Sequence, residues 1–157
     1  MQGVIDFITL GCSKNLVDAE RIMRQLEAAG WRCVHDPEEP KGEICVINTC
    51  GFIGDAKEES INMILQMAER KKAGKLRLLI VMGCLSERYR AELETEIPEV
   101  DAYYGKFDFE RMKVRIGQHP SKTNPGPYSI YERHITTPSH YAYLKISEGC
   151  NRMCSYC

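Results

Sequence analysis

No apolar run in the 157 residues approaches the roughly 20 that a membrane-spanning helix needs. No basic stretch followed by an apolar one opens the chain, so no signal peptide is read and a cytoplasmic protein is expected. There is no internal repeat and no low-complexity tract. An excess of positive charge is missing too. Residues 1–105 hold 13 Lys and Arg against 18 Asp and Glu, a net of −5, while residues 106–157 hold 8 against 4, a net of +4. That is no nucleic-acid footprint for the main region, and it suits a basic protein partner better. What the chain has in unusual amount is cysteine, eight in all. A disulfide framework belongs to small secreted domains. With 43% apolar and 27% charged residues, the rest of the composition is that of an ordinary globular core. The cysteines therefore point to metal or redox chemistry.

Apolar, β-rich runs alternate with helical periodicity. "GVIDFITLG" reads as a buried strand, and "NLVDAERIMRQLEAAG" as a helix with Leu16, Ile22, Met23, Leu26 and Ala29 on one face. Ser13 or Asn15 is its candidate cap, and Gly30 its end. "WRCVH" and "EICVINT" are strands. Asp55 opens a second helix to about Ala73, with Ile61, Ile64, Leu65 and Ala68 inward. "LRLLIVMG" is the most apolar strand, Ser86 caps "ERYRAELETEI", "VDAYYG" is the fifth strand, and Asp108 caps "FERMKVRIG". Alternation of this kind predicts an α/β fold: a flavodoxin-like five-stranded parallel sheet, order 2-1-3-4-5, with helices on both faces. Residues 1–117 form this domain. Residues 118–139, with four prolines, read as a linker, and 140–157 as the start of another domain whose first strand is "YAYLKIS". His35, His119, His134 and His140 read as exposed polar groups in loop or linker.

Cys12, Cys50 and Cys84 each follow a strand, in "TLGCSKN", "INTCGF" and "VMGCLS", with a glycine adjacent. In order 2-1-3-4-5, strands one, three and four are neighbours, about 4.8 Å apart. The three thiols are expected at the carboxyl edge, where open α/β sheets bind ligands. Three thiolates suit an iron–sulfur cluster with one iron open, or zinc with one open position. Cys33 and Cys45 fall within strands and read as core. Cys150, Cys154 and Cys157 form a Cys-x3-Cys-x2-Cys group. Zinc sites favour paired Cys-x2-Cys units, and no second pair exists. Three ligands to a 4Fe–4S cluster leave one iron free to chelate a substrate, which is the spacing of radical S-adenosylmethionine (SAM) enzymes, and Tyr156 suits their aromatic before the last cysteine. A flavodoxin-like binding domain would need a Ser/Thr/Gly-rich phosphate loop after the first strand, and "GCSKN" is not one.

The motifs "LGCSKNLVDAERI", "INTCGFIGDAKEESI", "VMGCLSERY" and "YLKISEGCNRMCSYC" resemble those of the radical-SAM methylthiotransferases. The resemblance implies two 4Fe–4S clusters in the complete enzyme, with Cys12, Cys50 and Cys84 as ligands of an auxiliary cluster. It makes Cys150, Cys154 and Cys157 the ligands of the SAM-binding cluster. It also implies SAM as cofactor and an electron donor such as flavodoxin or ferredoxin. SAM cleavage would give a deoxyadenosyl radical that takes hydrogen from an unactivated carbon, and sulfur from the auxiliary cluster would be methylated and delivered there. "GCSKNLVD" and the run after "NTC" resemble the branch that modifies an aspartate on a small-subunit ribosomal protein, rather than the tRNA-modifying branch. Both the tRNA branch and a zinc-binding module stand as alternatives. Family enzymes carry a barrel after the last motif. The chain stops on that motif's final cysteine, so it is read as a truncated start of the radical-SAM domain, inactive alone.

Overall fold

The computed structural model describes residues 3–52, 54–117, 129, 131–149 and 151–153. Nine elements run in strict alternation apart from one β–β step: β1 (Val4–Thr9), α1 (Ser13–Ala28), β2 (Arg32–His35), β3 (Ile44–Thr49), α2 (Gly54–Lys72), β4 (Leu78–Gly83), α3 (Cys84–Glu96), β5 (Ala102–Tyr104) and α4 (Phe109–Ile116). The strands form one sheet in the order β2-β1-β3-β4-β5. Every pairing is parallel, from Val4 beside Arg32 to Met82 beside Tyr104. The fold is the flavodoxin-like α/β sheet that the sequence predicts.

Strand periodicity of two separates the core into layers. Ile44, Val46, Ile80 and Met82 point to the face covered by α1 and α4, where they meet Met23, Leu26 and Met112. Cys45, Ile47, Leu79 and Val81 point to the other face and meet Ile64 and Met67 of α2 and Leu85 and Leu93 of α3. β3 and β4 are buried on every residue. That is why they read as continuous apolar runs rather than as alternating ones. Burying each such side chain contributes about 1.5–3 kcal/mol, so the two central strands are the stiffest platform for anything at their ends.

Several local details differ from the sequence reading. Cys12 is the N-cap of α1, with no side-chain cap bond, so neither Ser13 nor Asn15 caps it. The Asn15 side chain is spent on tertiary contacts instead. α3 begins at Cys84, two residues before the expected Ser86 cap, because Gly83 at φ 103 makes the sharp exit from β4. Ser86 thus lies inside the first turn, buried, and its hydroxyl has no partner among the described residues. Asp108 is the N-cap of α4, but its carboxylate accepts from the Gly105 N–H at 3.1 Å and not from the helix. Leu65 is 46% exposed, and Met67 takes the inward place it was expected to fill. His35 ends β2 half-buried, with Nε2 3.3 Å from Thr9 Oγ1, and His134 Nδ1 lies 2.6 Å from Glu27 Oε1. Only His140 of the described histidines is an exposed polar group, and His119 lies outside the described residues. Residues 140–146 carry no strand.

Candidate metal centre

β1, β3 and β4 are contiguous in the sheet, so their carboxyl ends share one edge. Cys12 follows β1 as the N-cap of α1, Cys50 directly follows β3, and Cys84 directly follows β4 as the first residue of α3. Two of the three thiols therefore stand at helix starts, where the positive end of the helix dipole favours negative charge. Cys12 is exposed, Cys84 half-buried and Cys50 buried. The edge is thus open on one side and dry on the other.

Glycines set how closely the three turns approach. Gly11 has φ 96, and a Cβ there would sit 2.4 Å from Cys50 Cβ and 2.9 Å from its Sγ. Only glycine allows both that backbone conformation and that contact. On the other side of Cys50, a Cβ on Gly51 would lie 2.8 Å from Leu85 Cα and 3.3 Å from the Cys84 carbonyl carbon. Cys50 is thereby wedged between the turns that carry Cys12 and Cys84.

A polar web fixes this arrangement. Asn15, 2% exposed, donates from Nδ2 to the carbonyls of Leu10 and Thr49, both at 3.1 Å. Its Oδ1 receives the Cys84 thiol at 3.8 Å, and its own carbonyl accepts from Asn48 Nδ2 at 2.8 Å. One side chain thus ties the ends of β1 and β3 to Cys84. Ser60 on α2 holds Cys50 by its backbone: its hydroxyl accepts from the Cys50 N–H at 3.1 Å and donates to the Cys50 carbonyl at 3.0 Å. Thr49 Oγ1 donates to the Met82 carbonyl at 2.6 Å, stapling β3 to β4 one residue before each turn. Sequence reasoning missed Asn15 and Ser60 as site residues. The available signal was a small polar side chain on the buried face of a helix.

Burial pushes the Cys84 thiol above its ordinary range; the Lys106 ammonium opposes this, the Cys50 and Cys12 thiols add to it, and Arg88 opposes it. A cationic centre among the three thiols would favour Cys84, buried and beside two other thiols, as a thiolate. The donor set therefore fits a positively charged iron–sulfur core. Among the described residues, no three His, Cys, Asp or Glu side chains are arranged for a single metal ion. Cys33 and Cys45 are elsewhere: Cys33 is 8% exposed and its thiol points to the Met23 carbonyl at 3.6 Å, and Cys45 is fully buried in β3. Burial pushes the Cys45 thiol up to about 12, and a thiol so disfavoured as thiolate is a poor ligand. Cys150, Cys154, Cys157 and Tyr156 lie outside the described residues.

Residues 4–105 match the family described as "Uncharacterized protein family UPF0004". The chain belongs to the UPF0004 family. This UPF0004 chain is 65% identical over 153 residues to a Bacteroides thetaiotaomicron protein named "Ribosomal protein uS12 methylthiotransferase RimO", covering 98% of this chain and 34% of that protein. It is 62% identical over 156 residues to a protein of the same name from Phocaeicola vulgatus, covering 99% of this chain and 35% of the relative. A Porphyromonas gingivalis protein of that name is 59% identical over 155 residues, covering 98% of this chain and 34% of its own length. The resemblance read from the four motifs thus extends over nearly the whole chain, which spans about a third of the length of the curated relatives it matches. No helix among the described residues is long and apolar enough to cross a membrane.

Proposed function

We propose that this chain is the auxiliary-cluster part of a radical-SAM methylthiotransferase acting on ribosomal protein uS12 in the cytoplasm. In this reading residues 1–117 are the cluster-bearing domain, 118–139 a linker and 140–157 the start of the radical-SAM domain. Cys12, Cys50 and Cys84 hold one 4Fe–4S cluster, and Cys150, Cys154 and Cys157 hold the second, to which SAM binds. The substrate is an aspartate of the ribosomal protein, and a flavodoxin or ferredoxin supplies electrons.

The observation that carries the reading is the wedge of Cys50 between the turns of Cys12 and Cys84, with Asn15 bonded to both neighbouring strand ends. When bound, the clusters would supply the electron for SAM cleavage and the sulfur for transfer. The protein's own part is placement. Asn15 and Ser60 hold the turns before any ligand arrives, so little ordering remains to be paid on binding. Leu85, the residue after Cys84 in α3, is fully buried in the core. Lys106 and Arg88 place positive charge near Cys84, which favours the thiolate needed for ligation.

Anaerobic reconstitution with iron and sulfide, followed by iron and sulfide counts and a visible spectrum, tests this. Brown protein whose iron falls when Cys12, Cys50 or Cys84 is replaced is expected. A colourless protein that takes up zinc in preference to iron would sink the reading.

A further inference from the structure

Residues 131–148 do not trail away from the domain. They lie along α1, and the contacts are polar. Glu20, near the middle of α1, is only 2% exposed. Its Oε1 accepts from the Thr136 N–H at 2.8 Å and from the Thr136 hydroxyl at 2.9 Å, and its Oε2 pairs with Arg133 at 3.3 Å. The His134 N–H donates to the Glu20 carbonyl at 3.0 Å. Every one of these partners comes from residues 131–148, a strap along α1. A buried carboxylate is costly unless it is satisfied, and three donors satisfy this one.

The anchor communicates with the far end of the strap. Arg133 also donates to the Tyr143 carbonyl at 2.8 Å, bracing the two arms against each other. Two residues on, Lys145 donates to both carboxylate oxygens of Asp18 at 2.7 and 2.8 Å. Lys145 also pairs with Glu148, and Glu148 pairs with Lys106. The Lys106 N–H donates to Glu87 Oε2 at 3.0 Å, three residues past Cys84. Here the strap turns charge inward and apolar groups outward: Leu144 and Ile146 are 83% and 87% exposed. Ion pairs, not burial of apolar surface, hold it.

We propose that Glu20 is a positioning residue: by anchoring residues 131–137 on α1 it fixes Glu148 against Lys106, and so holds the residues that lead into the C-terminal cysteine motif just past the end of β5. Glu148 stands two residues before Cys150 in the chain. The contacts act in series, so each raises the effective concentration of the next. The inference rests on the proposed function for the role of Cys150, Cys154 and Cys157, but its test needs no iron. A failure here leaves cluster loading untouched, and a failure to load iron leaves this result untouched.

Zero-length carbodiimide cross-linking of the 157-residue chain, quantified by mass spectrometry, reads the Lys106–Glu148 contact directly. The cross-link is expected in the wild type and should fall about tenfold in Glu20→Ala, the loss of effective concentration that undocking brings. Glu20→Gln keeps an acceptor for both Thr136 bonds and should retain at least roughly half the yield. A merely local role of Glu20 in α1 would not move a cross-link at the other end of the strap. If Glu20→Ala does not fold, Arg133→Ala combined with Thr136→Val removes two of the three donors to the Glu20 carboxylate, leaving the Thr136 N–H, and is expected to give a loss in the same direction of more than roughly twofold. A wild-type chain without the cross-link, or a fall of less than roughly twofold when the anchor is removed, would overturn the proposal.

Discussion

Cys33 and Cys84 carry the same side chain in two settings of one sheet. Cys33 sits inside β2, buried among apolar neighbours, with its thiol against a backbone carbonyl. Cys84 sits one step beyond the end of β4, half-buried, within electrostatic reach of two other thiols and a lysine. The difference is where the strand ends. Within a strand, the helix packed on the sheet covers a side chain on that face, and a cysteine becomes a small hydrophobe. At the carboxyl end the backbone leaves the sheet, and the side chains of adjacent strands turn toward common space. The setting of a cysteine in this fold follows from its position on the strand rather than from residue type.

The strongest test of that contrast is replacement of the edge cysteine. Cys84→Ala should abolish iron uptake at this site while circular dichroism and the unfolding midpoint stay close to wild type. Next comes the packing that wedges the turns. Gly51→Ala drives a Cβ to 2.8 Å from the Leu85 backbone, which cannot swing away like a side chain. The overpacking should cost about 3 kcal/mol in urea unfolding and reduce iron uptake with it. Asn15→Leu removes the donors to Leu10 and Thr49 and leaves two buried carbonyls unpaired. A loss of about 2 kcal/mol is expected, together with looser iron binding. Cys33→Ala gives the mirror image of Cys84→Ala: iron is retained and stability falls by about 1 kcal/mol. Equal iron loss in Cys33→Ala and Cys84→Ala would break the comparison.

The smallest effect concerns a carboxylate inside the sheet. Asp6 in β1 is 2% exposed and accepts from the Gly42 N–H at 2.6 Å. Burial pushes its carboxyl above the usual range, partly offset by the backbone N–H groups of Gly42 and Lys41 and by Arg70. The folded state thus holds this proton more tightly than the unfolded one. Stability is lost as pH rises from the ordinary carboxylate value through the raised folded one. Asp6→Asn lacks that loss. Its stability relative to wild type should therefore be higher at pH 7 than at pH 3.5, by urea unfolding at both. A difference that is flat with pH would show that the carboxyl is not perturbed.

Much of this was legible without coordinates. The period of two in the strands and the period near 3.6 in the helices are local patterns, and five alternating units of them suit the strand order observed. That order in turn places Cys12, Cys50 and Cys84 on neighbouring strands. Helix starts were less legible. Ser13, Asn15 and Ser86 have the chemistry of caps, yet tertiary contacts or burial claim Asn15 and Ser86, and a cysteine takes the N-cap position of α1.

The sequence by itself determined the strands, the helices and the place of each thiol just after a strand, because these depend on spacing within a few residues along the chain; the strand order followed from their alternation in a doubly wound sheet. Only the tertiary structure decided that Asn15 joins two strand ends to Cys84, and that a stretch with the composition of a linker is docked on α1. Glu20 and Thr136 are 116 positions apart, and Asp18 and Lys145 are 127 apart. Charges that far apart leave no periodic trace. An acidic residue on a helix reads as solvated surface until the fold brings its donors to it.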